Sequence, residues 1–379
     1  MHISDAFDGG NIICNSLESP DRIELEIRKD NGSDFYQWFY FRLTGARREE
    51  CIMRIRNAGG AAYAGGWEDY QAVASYDRQT WFRVATSYRD GVLTIRHRPE
   101  RDSIYYAYFA PYSMERHADL VARSAMDDRV RLTNLGSTLD GQDMDLLTIG
   151  TPHPTKPKIW IIARQHPGET MAEWLMEGLL DRLLDSADPV AGKLLDKAVF
   201  HIVPNMNPDG SRRGHLRTNA VGTNLNREWA APSMDKSPEV FVVRGAMESL
   251  GIDFCLDVHG DETLPHNYLI TPKGIPSWSK DLEATIDAYQ AALLSASPDF
   301  QTEKGVPAPP AGKADLSVCS NNLAEAFGVP AMTLEQPFKD AIDRPDRIFG
   351  WSPARAKHLG RANLDALLAI LPRLKAASK

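Results

Sequence analysis

The sequence predicts an α/β protein in two parts: an all-β antiparallel sandwich over residues 1–112, then an α/β/α domain with a mixed sheet over residues 113–379. Three observations predict it. Residues 22–110 alternate apolar and polar side chains with a period of two, as half-buried strands do. Beyond Tyr112, short apolar runs alternate with longer stretches at helical spacing. The chain, at 379 residues, also exceeds an average single domain.

In the first part, "RIELEIR" sets Ile23, Leu25 and Ile27 against Glu24, Glu26 and Arg28. The runs "QWFYFRL", "CIMRIRN", "WFRVATSYRDGVLTIRH" and "SIYYAYFAPY" follow as short, aromatic-rich strands, with Asp90-Gly91 where a tight hairpin turn belongs. Its aromatics, including Trp38, Trp67 and Trp81, read as core. In the second part "KIWIIA" is a strand, and Met171, Trp174, Leu175, Leu179, Leu183 and Leu184 then fall along one helix face. "AVFHIVPN", "IDFCLDVHG" and "AMTLEQPF" are further strands, while "FVVRGAMESLG", "SKDLEATIDAYQAALLSA" and residues 353–376 are helices. Such alternation predicts a mixed or parallel sheet covered by helices on both faces. "VPAPPAG", 306–312, reads as a surface loop.

Composition excludes several classes. Hydrophobic residues at 43% and charged ones at 25% are ordinary for a folded soluble protein, which disfavours disordered and fibrous chains. A net charge of -8 lacks the positive field of a nucleic-acid binder, so no nucleic-acid partner is expected. Cys14, Cys51, Cys255 and Cys319 are scattered without a C-x-x-C pair, and they read as reduced thiols. The start "MHISDAFDGGNIIC" does not resemble a secretory signal, and no apolar run reaches the ~18 residues of a membrane span, so a cytoplasmic protein without a membrane partner is expected. Nothing in the pattern specifies an oligomeric state.

Polar residues gather where the strands of the second part end: His166 and Glu169 after "IWIIA", Asn205 to Asp209 after "FHIVP", His259 after "FCLDV" and Glu335 within "MTLE". In open α/β sheets these carboxyl ends border the ligand crevice. Two histidines and one carboxylate form a catalytic zinc set that leaves one position for water, whose pKa such sites bring to about 7. The plain alternative is that Glu169 or Thr170 caps the helix from Met171 and that His259 is a hydrogen-bonded strand-end histidine. "NPDG", 207–210, reads alone as a turn. Arg212, Arg213, Arg217 and Arg227 read alone as a solvated basic loop.

"HPGE", "NPDG", "RTNAVGTNLNREW", "DVHGDE" and "TLEQPF" occur in the order found in the zinc metallocarboxypeptidases, and the chain most resembles the cytosolic carboxypeptidase subgroup, whose members also carry a β-sandwich before the catalytic domain. The resemblance implies one zinc ion on His166, Glu169 and His259, with Glu335 as general base and then acid. It further implies that Arg217 polarises the scissile carbonyl and that Asn226 and Arg227 grip a terminal carboxylate. A carboxylate in the apolar "AMTLE" strand is costly to bury unpaired, which independently favours a working role for Glu335. A guanidinium fork suits bidentate carboxylate binding.

There are two departures. Asn224 of "GTNLNR" stands where relatives have an aspartate supporting a zinc-binding histidine; its amide oxygen can accept but brings no charge. The region before Glu335 where a basic specificity residue is expected in glutamate-trimming relatives reads "SVCSNN", with Lys313 nearby as a loop lysine. The leading function is therefore a zinc metallocarboxypeptidase that uses zinc-activated water on the bond to a C-terminal or side-chain-linked amino acid of a peptide or protein tail. The alternatives are a zinc amidase of small N-acyl amino acids on the same fold, and a non-catalytic binder of acidic tails.

Overall fold

The predicted strand runs of the first part all contain strands, and His2–Ser4, Ile13–Ser19 and Val73–Ser75 are additional ones. In the computed structural model, which describes residues 1–374, two five-stranded sheets face each other. One runs His2–Ser4, Tyr40–Thr44, Ser103–Ala107, Val73–Ser75, Phe82–Arg83, and is antiparallel throughout. The other runs Ile13–Ser19, Arg22–Glu26, Cys51–Ile55, Val92–His97, Ala85–Arg89. It is antiparallel except where Arg22–Glu26 pairs parallel to Cys51–Ile55, because the chain crosses to the first sheet between them instead of turning back in a hairpin. Asp90 and Gly91 take φ of 51° and 78°, the two positive angles that a type I′ hairpin requires. Trp38, Trp67 and Trp81 are buried in the core, as expected, although all three lie outside the strands.

The second part is built on a seven-stranded mixed sheet in the order Val130–Ser137, Asp143–Ile149, Val199–Val203, Lys158–Ala163, Phe254–Val258, Ala331–Glu335, Tyr268–Ile270. The four strands from Val199–Val203 to Ala331–Glu335 are parallel, so their carboxyl ends lie side by side. They are fully buried apart from Lys158 and Glu335 at their ends, which is why they read as continuous apolar runs. The outer hairpin Val130–Ser137 with Asp143–Ile149 escapes the sequence pattern, because its edge strand is largely exposed and carries no two-residue alternation.

Helices Met171–Leu183, Pro238–Leu250, Lys280–Ala296 and Pro353–Ile370 lie where the spacing predicts; residues 375 and 376 of the last predicted helix lie outside the described residues. Met171–Leu183 is buried nearly all round instead of on one face, since Pro353–Ile370 packs closely over it. Gly178 and Gly360 permit that approach, for a Cβ at either would strike the other helix's backbone. Met114–Ala125, Pro189–Lys197 and Cys319–Phe327 are additional helices. "NPDG" proves to be a helix start instead of a bare turn: Asn207 Oδ1 accepts from the Gly210 N–H at 3.0 Å, and Pro208 takes the first helical position of Pro208–Arg213. Among the described residues no helix is long and apolar enough to cross a membrane. The buried apolar residues of both parts form one contiguous core.

Candidate metal and peptide site

The site is assembled at the adjoining carboxyl ends of Lys158–Ala163, Phe254–Val258 and Ala331–Glu335. After Ala163 the chain reverses at Arg164, whose φ of 60° is unusual for a residue with a side chain. Its buried guanidinium maintains the reversal, donating to the Pro167 carbonyl (2.9 Å), the Tyr112 carbonyl (2.8 Å) and Glu173 (2.7 Å). Gly168 then brings the loop against the next one; its N–H donates to the Leu216 carbonyl at 2.9 Å, where a Cβ would collide with that same backbone.

This loop presents His166 and Glu169 to His259. Their donor atoms all lie within 4.8 Å of one another, and all three residues are buried. Glu169 reaches His166 Nδ1 with Oε1 (2.6 Å) and His259 Nδ1 with Oε2 (2.8 Å), and Oε2 also accepts from the Gly260 N–H (3.0 Å). The helix-cap alternative therefore does not describe Glu169. Thr170, at the cap position, gives its hydroxyl to the Ala110 carbonyl instead.

The opposite face of each imidazole is also held. His166 Nε2 lies 3.0 Å from Asn224 Oδ1, and His259 Nε2 lies 2.9 Å from Asp257 Oδ2. Acceptors there place the ring proton on Nε2 and leave Nδ1 of both rings as lone-pair donors facing each other, 3.1 Å apart. Asn224 thus fills, with an amide oxygen, the supporting position expected of it. Asp257 was not singled out from sequence, although it lies on the strand Phe254–Val258 two residues before His259, which directly follows that strand. Gln165 joins the arrangement, donating to Asp257 at 2.6 Å and accepting from Trp229 Nε1 at 2.8 Å.

Electrostatics fit a cation at this spot. Burial and the nearby Arg217 charge bring the His166 pKa down to about 4, so its lone pair is free at neutral pH. Burial opposes charge on His259, but Asp257 and Glu169 outweigh it and hold that pKa well above the ordinary value, so positive charge is favoured at this spot and a bound cation would take the place of the Nδ1 proton that faces Glu169. Glu169 is held below the usual carboxylate range, its burial overcome by the two imidazoles. Among the described residues no Lys or Arg pairs with Glu169 or Glu335.

Glu335 follows Leu334, the register partner of Val258, so it stands beside His259. Its Oε2 is buried without any hydrogen-bond partner. Burial, reinforced by Glu169, Asp261 and Glu262 and only partly relieved by His259, raises its pKa well above the ordinary value. An unpartnered carboxylate oxygen beside three converging donors fits a metal site with a neighbouring proton carrier.

The arginines divide. Arg212 is exposed and Arg213 makes a bidentate pair with Asp140 at 2.7 Å, so these two are the solvated pair. Arg217 is half-buried and Arg227 exposed, and they lie near enough to each other that, after burial, Arg217 is the main cause lowering the Arg227 pKa. Asn226 is buried in the turn Leu225–Arg227; its Oδ1 accepts from the Cys319 N–H at 2.8 Å, which orients the amide. Arg227 Nη1 donates to the Asn226 carbonyl at 2.6 Å, and its Nε stands 3.8 Å from Asp315. Lys313 is exposed on the loop after "VPAPPAG", itself exposed as expected.

Comparison with known proteins agrees with this geometry. Residues 3–109 match the cytosolic carboxypeptidase N-terminal domain, and residues 115–261 match the zinc carboxypeptidase family. The structure superposes on a metallo-carboxypeptidase from Burkholderia cenocepacia with a TM-score of 0.96 at 49% identity, over 98% of this chain and 99% of that one. It superposes on a metallo-carboxypeptidase from Pseudomonas aeruginosa, solved in complex with (2-guanidinoethylmercapto)succinic acid, with a TM-score of 0.97 at 42% identity, over 99% and 100% of the two chains. Human cytosolic carboxypeptidase 1 is 27% identical over 312 residues, which are 69% of this chain but only 25% of that protein. The chain belongs to the zinc carboxypeptidase family, in its cytosolic carboxypeptidase-like subgroup, and is a metallopeptidase by that membership.

Proposed function

We propose that this chain, folded as units 1–112 and 113–379, removes a C-terminal or side-chain-linked amino acid from a peptide or protein tail. His166, Glu169 and His259 hold one zinc ion. The observation that carries the reading is the unpaired Glu335 carboxylate beside those three donors. When bound, zinc supplies a Lewis acid for the scissile carbonyl and lowers the pKa of water at the site.

The chain's own residues supply the rest. Glu335, made more basic by its buried, carboxylate-rich surroundings, would in its carboxylate form take a proton from the attacking water and return it to the departing amine. Arg217 offers its guanidinium to the oxygen on which negative charge develops. Asn226, with its Oδ1 committed to Cys319, turns its amide nitrogen toward the substrate, and Arg227 grips the terminal carboxylate. The relative from Pseudomonas aeruginosa was solved with a succinic acid derivative, a molecule whose carboxylates suit a metal and a cationic clamp. The likeness to cytosolic carboxypeptidases supports a cytoplasmic setting.

The test compares matched peptides with free and amidated C-termini, alongside N-acyl amino acids, as substrates of the zinc-loaded chain. Loss of hydrolysis on amidation is expected. Undiminished cleavage of amidated peptides would count against a carboxypeptidase, and preference for N-acyl amino acids would favour the amidase.

A further inference from the structure

The loop that carries Arg217 is anchored on one side by the β-sandwich. Asp30, buried between the two parts, accepts from the backbone N–H groups of Leu216 (2.7 Å), Arg217 (2.8 Å) and Thr218 (2.9 Å), and from the Thr218 hydroxyl (3.1 Å). Around this anchor the two backbones approach closely. Asn11 donates to the Gly214 carbonyl at 2.9 Å, and the Asn31 N–H donates to His215 Nε2 at 3.1 Å. Gly214, at a φ of 70°, has no room for a Cβ, which would meet the Gly9 and Gly10 carbonyls at 2.7 Å.

The side chain is held from the same direction. The Arg217 guanidinium carbon stands 5.5 Å from the ring centre of Phe35 and 5.4 Å from that of Tyr63. Tyr63 is fixed in turn by the buried Gln37, whose amide accepts from the Tyr63 N–H (2.8 Å) and donates to the Tyr63 carbonyl (3.1 Å). Among the described residues Arg217 has no carboxylate within ion-pair distance. Aromatic faces attract a guanidinium without occupying its N–H donors, which point in the plane of the group. A carboxylate in their place would fix the side chain equally well but consume the donors a substrate needs.

We infer that Asp30, Phe35 and Tyr63 of the sandwich are positioning residues for Arg217: Asp30 pins its backbone, and the two rings hold its guanidinium in place with its donors free for a substrate oxygen. The sandwich is thereby part of the catalytic apparatus. The inference rests on the reading of Arg217 as the oxyanion-stabilising residue.

The test uses the full-length, zinc-loaded chain and one peptide substrate. Arg217→Ala is expected to lower kcat about 100-fold. The paired substitutions Phe35→Leu and Tyr63→Leu are expected to lower kcat about 10-fold, while KM stays within about threefold and zinc content is unchanged. Tyr63→Phe, which keeps the ring, retains most of the kcat that Tyr63→Leu loses, and this single-site comparison carries the test if the double variant does not fold. Millimolar guanidinium is expected to restore part of the activity of Arg217→Ala only where both rings remain, a readout that general loosening of the fold would not produce. Wild-type kcat in both the double and the single leucine variants, beside an inactive Arg217→Ala, overturns the positioning role and leaves that of Arg217 standing. Undiminished kcat in Arg217→Ala removes both.

Discussion

The amide oxygen of Asn224 stands 3.0 Å from Nε2 of His166 and takes the place that Asp257 holds, at 2.9 Å, behind His259. The two histidines are thus supported unequally, one by a neutral amide and one by a carboxylate. Groups in this position commonly change metal affinity by about 10- to 100-fold. Asn224→Ala is expected to weaken zinc binding within that range, and Asn224→Asp to strengthen it. Competition against a chelator of known affinity measures both; equal affinity in all three forms would show the contact to be idle.

Glu335→Gln keeps the shape of the side chain but removes its capacity to carry a proton. Turnover is expected to fall by about 100-fold or more, while zinc content stays near one ion per chain. Assays of kcat together with metal analysis separate the two. Loss of zinc along with activity would instead make Glu335 a structural support of the metal.

Arg227 is exposed and, among the described residues, forms an ion pair only with Asp315 at 3.8 Å, so its fork can serve a ligand. Arg227→Ala is expected to raise KM for peptides with a free C-terminus by about 10- to 100-fold, the worth of one charge-assisted hydrogen-bonded pair. KM for amidated peptides should move little. Steady-state kinetics on the two peptide forms would expose an error, as a parallel change in both.

Stability should depend on pH through His117, buried on Met114–Ala125. Burial opposes its charge, but Glu173 (2.6 Å) and Asp145 (3.6 Å) prevail and raise its pKa to about 9. A histidine whose pKa is raised on folding stabilises fully below its unfolded pKa of about 6.5 and loses that contribution as pH climbs through its folded value. The loss between pH 6.5 and 9 is at most on the order of 3 kcal/mol. Urea unfolding across this window should show the decline, and His117→Gln should flatten it; an unchanged slope in the variant would assign the decline to other groups.

The sequence by itself determined what local chemistry can specify. The two-residue rhythm of "RIELEIR", the Asp90-Gly91 turn, the apolar parallel strands and the helix from Met171 are patterns read over a few neighbouring residues, and they recur in the structure. The candidates His166, Glu169, His259 and Glu335 were raised from the sequence because they stand at or just past strand ends, where a parallel sheet opens its crevice, and the family resemblance supplied the roles proposed for them. Short elements without caps or rhythm were not: Val130–Ser137 is an exposed edge strand, and Cys319–Phe327 begins without a side-chain cap.

Only the tertiary structure decided which nitrogen each histidine presents, since that depends on Asn224, 58 positions from His166 along the chain, and on the path that brings it there. It also decided that Arg217 lies against the rings of Phe35 and Tyr63 while Arg213 pairs with Asp140. It placed Asp30, Phe35 and Tyr63 of the sandwich against a loop far along the chain, 187 residues from Asp30 to Arg217. The physical reason is common to all three. Hydrogen bonds and aromatic contacts act over a few ångströms in space, and separation along the chain carries no trace of that distance until the sheet has been ordered.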